Sequence, residues 1–404
     1  MTAVRTVLVS GASVAGPTLA HWLHRRGMRV TVVEKAPAPR PGGHAVDVRG
    51  AAVDVAERMG ILGTIREHLT QTSRVHFVGP DGRTRAEISP TMDTGHGRSL
   101  EIVRGDLARI LREATPADTE YLYGDTVTAL EEGPDGVHVT FRHHEPHTFD
   151  LVVGSDGLHS TTRTLAFGPE EDFAHYLGAL ISISTVPNHL GIDREAQLYN
   201  TPGLGCGLIH SPRFEGAKAV FLAHETEPGG LDRAPEEDQK DYLRKRFTGA
   251  GWESDRLLEE LAQAPDFYFD SVTQIHMDRW HRGRIALLGD AGYCPSPMSG
   301  QGTTLAMVGA HVLAEELGRH TTPEPALEAY EARMRPYVRA NQGIADTGLG
   351  FLAPRTRLGL ATRNAILRLG PLLTTLSRLD TRVARAAEAI DLDAPAPQDP
   401  PRHA

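Results

Sequence analysis

The chain has 404 residues, enough for two or three domains around a large core. A hydrophobic content of 40% and a charged content of 23% are ordinary for a soluble globular protein, and no apolar run approaches the length of a membrane span. A net charge of −10 with no basic stripe argues against a nucleic-acid partner, and the two distant cysteines, Cys206 and Cys294, exclude a disulfide framework.

The first strand begins within a few residues of Met1, which leaves no room for a signal peptide, so a cytoplasmic protein is expected. Val4–Lys35 reads as a strand, a Gly-rich turn over Ser10–Pro17, a helix from Thr18 to about Arg26 stopped by Gly27, and a second strand ending at Glu34. A nucleotide-binding βαβ unit has this order. Gly11 permits the sharp turn, Gly16 lets the helix lie close on the strands, and the free N–H groups at the helix start face a pyrophosphate. Glu34 stands where an acidic side chain takes a ribose hydroxyl pair. Ser13 replaces the second glycine of G-x-G-x-x-G and is small enough to let a phosphate approach. Gly11-Ala12-Ser13-Val14-Ala15 also reads as a hydrolase nucleophile elbow lacking its last glycine, although such an elbow follows several earlier strands. A purely structural Gly-rich turn is the third reading.

Gly42-Gly43 and the short alternating strand to Gly50 suggest backbone brought close to a ligand. Helices are expected over Ala51–Met59 and Leu62–Leu69, and a hairpin over Arg74–Val78 and Thr84–Ile88. A further helix is expected over Arg98–Arg112, with Arg104 in its first turns as a ligand contact or as a solvated arginine. Tyr121–Leu130, Val137–Arg142 and Phe149–Val153 read as strands. The segment His143-His144-Glu145-Pro146-His147 lies at a polar turn without the ligand spacing of a metal site, so no metal is expected. Leu151–Gly154 is a buried strand running into Asp156-Gly157, which is either a ligand-binding acid at a strand end or an ordinary turn. From Tyr176 to Thr273 short β-branched strands between Gly/Pro turns indicate an antiparallel sheet, interrupted by helices at Glu236–Phe247 and near Ser254–Ala262. Arg284–Asp290 is another buried strand ending in an acid. The Gly300-Gln301-Gly302 loop then feeds a helix from Thr303, where helix N–H groups can meet negative charge. Thr347–Ile390 reads as helical and Arg-bearing; its basic amphipathic helix is expected to pack back on the nucleotide domain, contact with a membrane or a partner being the alternative, and the tail beyond Asp391 is Pro-rich.

The turn ending in Glu34, the Asp156-Gly157 turn, and Gly289-Asp290-Ala291 with Gly300-Gln301-Gly302 occur in this order. Together they resemble the single-component FAD-dependent aromatic monooxygenases of the para-hydroxybenzoate hydroxylase fold, over roughly residues 4–345. Gly42-Gly43 with Asp47, and Arg104-Gly105-Asp106-Leu107, look most like the tetracycline-inactivating and antibiotic-tailoring members. The resemblance implies an α/β fold: a Rossmann-like FAD domain (residues 1–72, 97–175 and 275–345), an antiparallel substrate domain (73–96 and 176–274), and C-terminal helices (346–404). It implies that Gly11, Ser13, Val14, Ala15 and Gly16 hold the FAD pyrophosphate. Glu34, with Lys35 after it, would take the adenosine ribose, and Val127 the adenine. Arg104 would lie beside the flavin's phosphate and ribityl region, Asp290 at the ribityl chain, and Gly300, Gln301, Gly302 and Thr303 at the pyrimidine end of the flavin, with Asp47 and Pro297 as further cofactor contacts. Asp156 belongs to the motif associated with both FAD and NADPH.

The implied reaction is NADPH reduction of FAD, addition of dioxygen at the flavin 4a carbon, and transfer of one oxygen to an electron-rich carbon, with no catalytic acid or base required of the protein. The partners implied are a small aromatic substrate and dioxygen, in a monomer or weak dimer. A reductase of isoprenoid chains and a non-catalytic flavin- or ligand-binding protein are the alternatives on this fold. The chain departs from the family pattern at Lys35, at Gly292-Tyr293 and at Thr304. Tyr199, His210, Phe221 and Met298 are candidate substrate-lining residues. The strands Ala179–Val186, Cys206–His210 and Lys218–His224 carry no arginine to capture a benzoate carboxylate, so a larger polycyclic phenol is expected.

Overall fold

Runs that are apolar at every position, Val7-Leu8-Val9 and Leu151-Val152-Val153, pair in parallel at the centre of a sheet covered on both faces. A computed structural model describes residues 4–88, 98–369 and 376–394 of the chain. The central sheet runs His281–Arg282, Ile285–Leu287, Leu151–Gly154, Thr6–Ser10, Arg29–Glu34, Glu120–Tyr123, and only the His281–Arg282 edge is antiparallel. Val7, Val9, Val32 and Val153 pack into one cluster with the helices Ala15–His24, Gly302–Arg319 and Pro323–Gln342. Leu8, Val33 and Val152 point the other way, onto an antiparallel meander of Val127–Gly133, Gly136–Phe141 and His147–Phe149. The strand period of two sorts neighbouring residues to opposite faces.

A second sheet of seven strands runs Tyr268–Ile275, Ala174–Val186, Ala217–His224, Leu204–His210, Glu195–Thr201, Arg74–Val78, Thr84–Ile88. The Arg74–Val78 hairpin joins it through parallel pairing with Glu195–Thr201. One face, carrying Leu180, Phe221, Cys206, Leu208 and Tyr199, packs on the helices Glu236–Phe247 and Ser254–Leu261. The other, carrying Ala179, Ile181, Leu222 and Val272, meets Met298 and the helix Ala345–Leu352. The mixed α/β architecture expected from the sequence is the one observed.

Three expected elements differ. Arg98–Arg112 is not one helix: Ser99–Val103 is a strand paired with Ala45–Arg49, and the helix is Arg104–Glu113. Leu100 and Ile102 alternate inward as a strand requires, and Val103 is extended at the helix N-cap. Tyr121–Leu130 divides at Gly124, whose φ of 73° ends one strand and lets the chain change sheets. Next to it the Asp125 carboxylate accepts the N–H groups of Thr126, Arg142, His143 and His144 and pairs with His144 Nδ1 at 2.5 Å, so the histidine-rich turn is organised by an acid. The C-terminal helices do not all return to the nucleotide-binding sheet. Leu376–Ala387 does, where Tyr337 Oη and Asn341 Nδ2 donate to its last carbonyls. Arg357–Leu369 lies instead on the seven-stranded sheet, with the Arg363 guanidinium 3.9 Å from the Phe77 ring centroid and Leu367 against Phe77 and Ala86. The expected segment 89–96 and the tail from 395 lie outside the described residues.

Candidate functional site

The Gly-rich turn leaves no space for side chains. Gly11 has φ 110°, and a Cβ on it would lie 2.5 Å from the Ser155 carbonyl oxygen. A Cβ on Gly16 would lie 1.9 Å from the Gly11 carbonyl oxygen. The start of the Ala15–His24 helix is therefore seated directly on the turn, with Val14 at its N-cap and its first N–H groups free of side-chain caps. Glu34 closes the turn from the next strand: Oε2 accepts from the Ala12 N–H at 2.9 Å and Oε1 from the Ala36 N–H at 2.9 Å. Ser13 Oγ accepts from the Arg104 guanidinium at 3.0 Å. The serine at the second-glycine position thus meets a cation, not the imidazole that a hydrolytic nucleophile needs. Lys35 is exposed beside Glu34, and Val127 is buried against the same meander cluster as Val33.

Arg104 is aimed across the turn by its own backbone. Its N–H donates to the His44 carbonyl at 3.0 Å, and Gly105 N–H donates to the Gly42 carbonyl at 2.8 Å. The backbone of Gly42 also runs close to Gly105, where a Cβ would stand 2.5 Å from the Gly42 oxygen. Asp47 pairs with Arg49 at 3.0 Å and lies against Gly300. Gly302, the first residue of its helix, stands against Asp290, where a Cβ would be 3.5 Å from Oδ1. Burial pushes the Asp290 carboxyl up, and the nearby Arg104 charge draws it back. Thr303 is half-buried in the first turn, Pro297 is exposed, and the Gln301 amide is fully buried with neither Oε1 nor Nε2 partnered.

The departures from the family pattern have local reasons. Thr304 Oγ1 accepts the Arg49 N–H at 3.2 Å, tying the helix start to the Ala45–Arg49 strand. Tyr293 is a core residue: its hydroxyl lies 2.8 Å from that of Tyr330 and its ring 4.6 Å from the Trp280 centroid. Gly309 leaves room for that hydroxyl, since a Cβ there would be 2.2 Å from it.

Asp156 turns back on its own segment, accepting from Ser160 Oγ at 2.5 Å and from Thr162 N–H at 2.9 Å. Its carboxylate caps the Thr161–Phe167 helix. Sequence reasoning passed over two neighbours. Arg163 is buried and donates to Ala291 O, Leu158 O and Glu170 Oε2, bridging the Asp156 turn to the Asp290 segment. His159 lies between Glu170 at 2.9 Å and Asp270 at 3.2 Å; these two bonds raise its pKa to about 9. The signal that would have found both is their placement in the turn after Asp156. His159, Asp232 and Asp270 are the group among the described residues whose ligand atoms lie close enough for a metal ion. In that group His159 Nε2 is itself the partner of Asp270 at 3.2 Å, and Arg163 and Arg233 pair with the neighbouring Glu170.

Three of the four expected substrate-lining residues occupy other positions. Phe221 is wholly buried, edge-on to Phe247 at 4.9 Å, and Tyr199 donates its hydroxyl to Ala250 O. His210 shares the face of Cys206 and Leu208 at the strand end and lies 3.6 Å from Asp193. A one-residue change of parity moves a strand's whole set of side chains to the opposite face, and the sequence alternation left the parity open. Met298 is on the face that meets the Gly300 loop. The register puts Tyr268, Ile183, Val220, Gly207, Leu198 and Phe77 in one row across that face. Tyr268, Ile183, Val220 and Leu198 in this row are only half-buried.

Side-chain-free backbone at Gly11 and Gly16, uncapped helix starts at Ala15 and Gly302, the Glu34 and Asp290 carboxylates, and the orphaned Gln301 amide together fit an extended dinucleotide such as FAD. Residues 5–343 match the model of the FAD binding domain family. An uncharacterized protein of Mycobacterium tuberculosis strain H37Rv is 42% identical over 355 residues, 87% of this chain and 95% of that one. A flavin-dependent monooxygenase of Legionella longbeachae is 39% identical over 344 residues, 83% of this chain and 86% of that one. The crystal structure of tetracycline destructase Tet(55) superposes with a TM-score of 0.84 at 37% identity, covering 98% of this chain and 100% of that one.

Proposed function

The chain belongs to the FAD binding domain family and is an FAD-dependent monooxygenase, and from that premise we propose that it uses NAD(P)H and dioxygen to hydroxylate a polycyclic aromatic or polyketide-type small molecule. The observation that carries the substrate class is the half-buried row of Ile183, Val220 and Leu198 beside Met298. It is apolar, and Gly207 leaves a depression at its middle into which Leu198 leans. A flat, mostly apolar surface of this kind suits a planar ring system. Two cations on this face are engaged: Lys218 by Asp266 at 3.1 Å and Thr185, and Arg363, over Phe77, by Asn200, Asn364 and the Phe351 carbonyl, so each is a poor partner for a benzoate carboxylate.

In this reading the Gly11–Gly16 turn and the Ala15–His24 helix start bind the pyrophosphate, and Glu34 exchanges its Ala12 contact for ribose hydroxyls. Arg104 moves from Ser13 toward the phosphate and ribityl region, and Asp290 holds the ribityl chain. The uncapped helix start at Gly302 and Thr303 offers its N–H groups to the electron-rich end of the flavin, while those of Gly300 and Gln301 are taken by Pro297 and Ser299. FAD when bound supplies the redox chemistry and the activation of dioxygen. The protein's part is to bind, orient and exclude water. The test is NADPH oxidation coupled to incorporation of labelled oxygen, across a panel of polycyclic phenols and a panel of simple benzoates. Tight coupling with a benzoate and none with the polycyclic phenols would overturn the substrate class. Substrate reduction without oxygen incorporation would overturn the reaction. Rapid mixing of reduced enzyme with oxygen tests for the 4a-hydroperoxide route.

A further inference from the structure

The apolar row ends in one polar group. Tyr268 pairs with Ile183 at the head of the row, half-buried, with its ring 5.8 Å from the His44 ring and packed on the cluster that contains Met298. It therefore reaches from the edge strand of the seven-stranded sheet to the loop before Ala45, whose His44 carbonyl accepts the Arg104 N–H. Its hydroxyl donates to Asp270 Oδ2 at 3.2 Å. Asp270 Oδ1 accepts the Ser271 N–H at 2.8 Å and faces His159 Nε2 at 3.2 Å, and His159 Nδ1 is bonded to Glu170 at 2.9 Å. Glu170 is held in turn by Arg163 and Arg233.

We propose that Tyr268 is a specificity-determining residue that presents only a hydrogen-bond acceptor to the substrate, because Asp270, fixed by Ser271 and His159, takes its one proton. A hydroxyl has one donor and two lone pairs. With the donor engaged, what remains for a ring held against Ile183 and Val220 is a lone pair, which accepts from a phenolic O–H or N–H and repels a carbonyl or ether oxygen. The surrounding charges keep the donor in place. His159 lies between Asp270 and Glu170, and its Nε2 and the Ser271 N–H together hold Asp270 Oδ1, which leaves Oδ2 to the Tyr268 hydroxyl. Burial and the Asp270 charge push the Tyr268 hydroxyl far above its ordinary range, with Arg104 acting in the opposite direction, so the phenol keeps its proton to donate. His44, whose ring lies beside that of Tyr268, is held neutral by burial, by Arg104 and by Lys218. Asp270 and His159 act through Tyr268 and are positioning residues.

The inference rests on the reading of this cleft as the substrate site, and its test needs no turnover. FAD-loaded enzyme is titrated with naphthol and with methoxynaphthalene, followed by flavin absorbance. The wild type should bind the phenol about tenfold more tightly than the ether, as one hydrogen bond is worth about 1.4 kcal/mol. Tyr268→Phe should lose that preference by weakening the phenol alone. Asp270→Asn should reverse or abolish it. The Ser271 N–H and His159 fix the Asn oxygen where Oδ1 now lies, so the amide N–H donates to Tyr268 and frees its O–H for the cleft. Ring-labelled tyrosine NMR of the free, FAD-loaded enzyme, assigned with Tyr268→Phe, should show the Tyr268 signal shift in Asp270→Asn. Equal binding of phenol and ether, binding of neither, or an unmoved Tyr268 signal would each overturn the proposal. Failure to incorporate oxygen would overturn the monooxygenation of these compounds while leaving the binding preference standing.

Discussion

Replacing Gly16 and Gly63 by alanine, one at a time, separates helix propensity from the geometry of the Gly-rich turn. Both glycines lie in helices, Ala15–His24 and Leu62–Glu67. Propensity alone favours alanine at each by about 0.8–1 kcal/mol. At Gly63 a Cβ meets nothing within 4 Å, so Gly63→Ala should raise stability by roughly 0.5–1 kcal/mol. At Gly16 the same atom lands 1.9 Å from the Gly11 carbonyl oxygen, and that neighbour is backbone that cannot rotate away. Real Cβ contacts stay beyond 3.0 Å, so the helix start must retreat by roughly an ångström. The overpacking costs about 1–3 kcal/mol, which cancels or outweighs the propensity gain. The larger effect falls on the ligand. The retreat misplaces the N–H groups that would face a pyrophosphate, and a charge-assisted hydrogen bond is worth about 1.5–3 kcal/mol, so FAD affinity should fall roughly ten- to a hundredfold. Urea melts of both apoproteins, with fluorescence titration by FAD, measure the two quantities. Unchanged FAD affinity in Gly16→Ala would refute the assignment of this turn to the cofactor.

The sheet-parity assignment predicts that Phe221→Ala costs about 3–5 kcal/mol of stability through its lost packing on Phe247, whereas Val220→Phe leaves the melting temperature nearly unchanged and raises KM for polycyclic substrates. Arg163→Met should destabilise by about 1–3 kcal/mol for each of the Ala291 and Leu158 carbonyls it leaves unpaired, since Glu170 keeps Arg233 and His159; a melt within error of wild type would show that the bridge to Ala291 carries no weight. His159 has a folded pKa of about 9, above its ordinary 6.5, so its stabilisation is complete below pH 6.5 and lost as pH rises through 9. Glu170 is held down to about 2 by its pairing with His159 and Arg233 against the opposing cost of burial, so its contribution is present above pH 4.5 and lost as pH falls through 2. His159→Gln should flatten the alkaline limb of stability against pH, and an unchanged limb in that variant would show that this ion pair does not set it.

The sequence by itself determined the local elements whose reasons are local. A turn that needs Gly11 at φ 110°, an apolar run buried on both faces, and an acid at the end of a strand each leave a mark within a few residues. The βαβ start, the Asp290 segment and the antiparallel strands of the second sheet were therefore legible in one dimension, as was the mixed α/β class. The helix expected over Arg98–Arg112 failed at its front because Ser99–Val103 is a strand only by virtue of its partner Ala45–Arg49, some fifty residues earlier. The tertiary structure also decided which side of a strand meets the site. Phe221 and Val220 differ by one position, and no local rule says which faces the cleft; that is fixed by the register with Ile183 and Gly207 and by two helices that claim the other face for Phe221. The chain from Tyr268 to Glu170 is a product of the same register. It joins residues about a hundred positions apart, and hydrogen bonds across that separation exist only once two sheets and the Asp156 turn have been brought together.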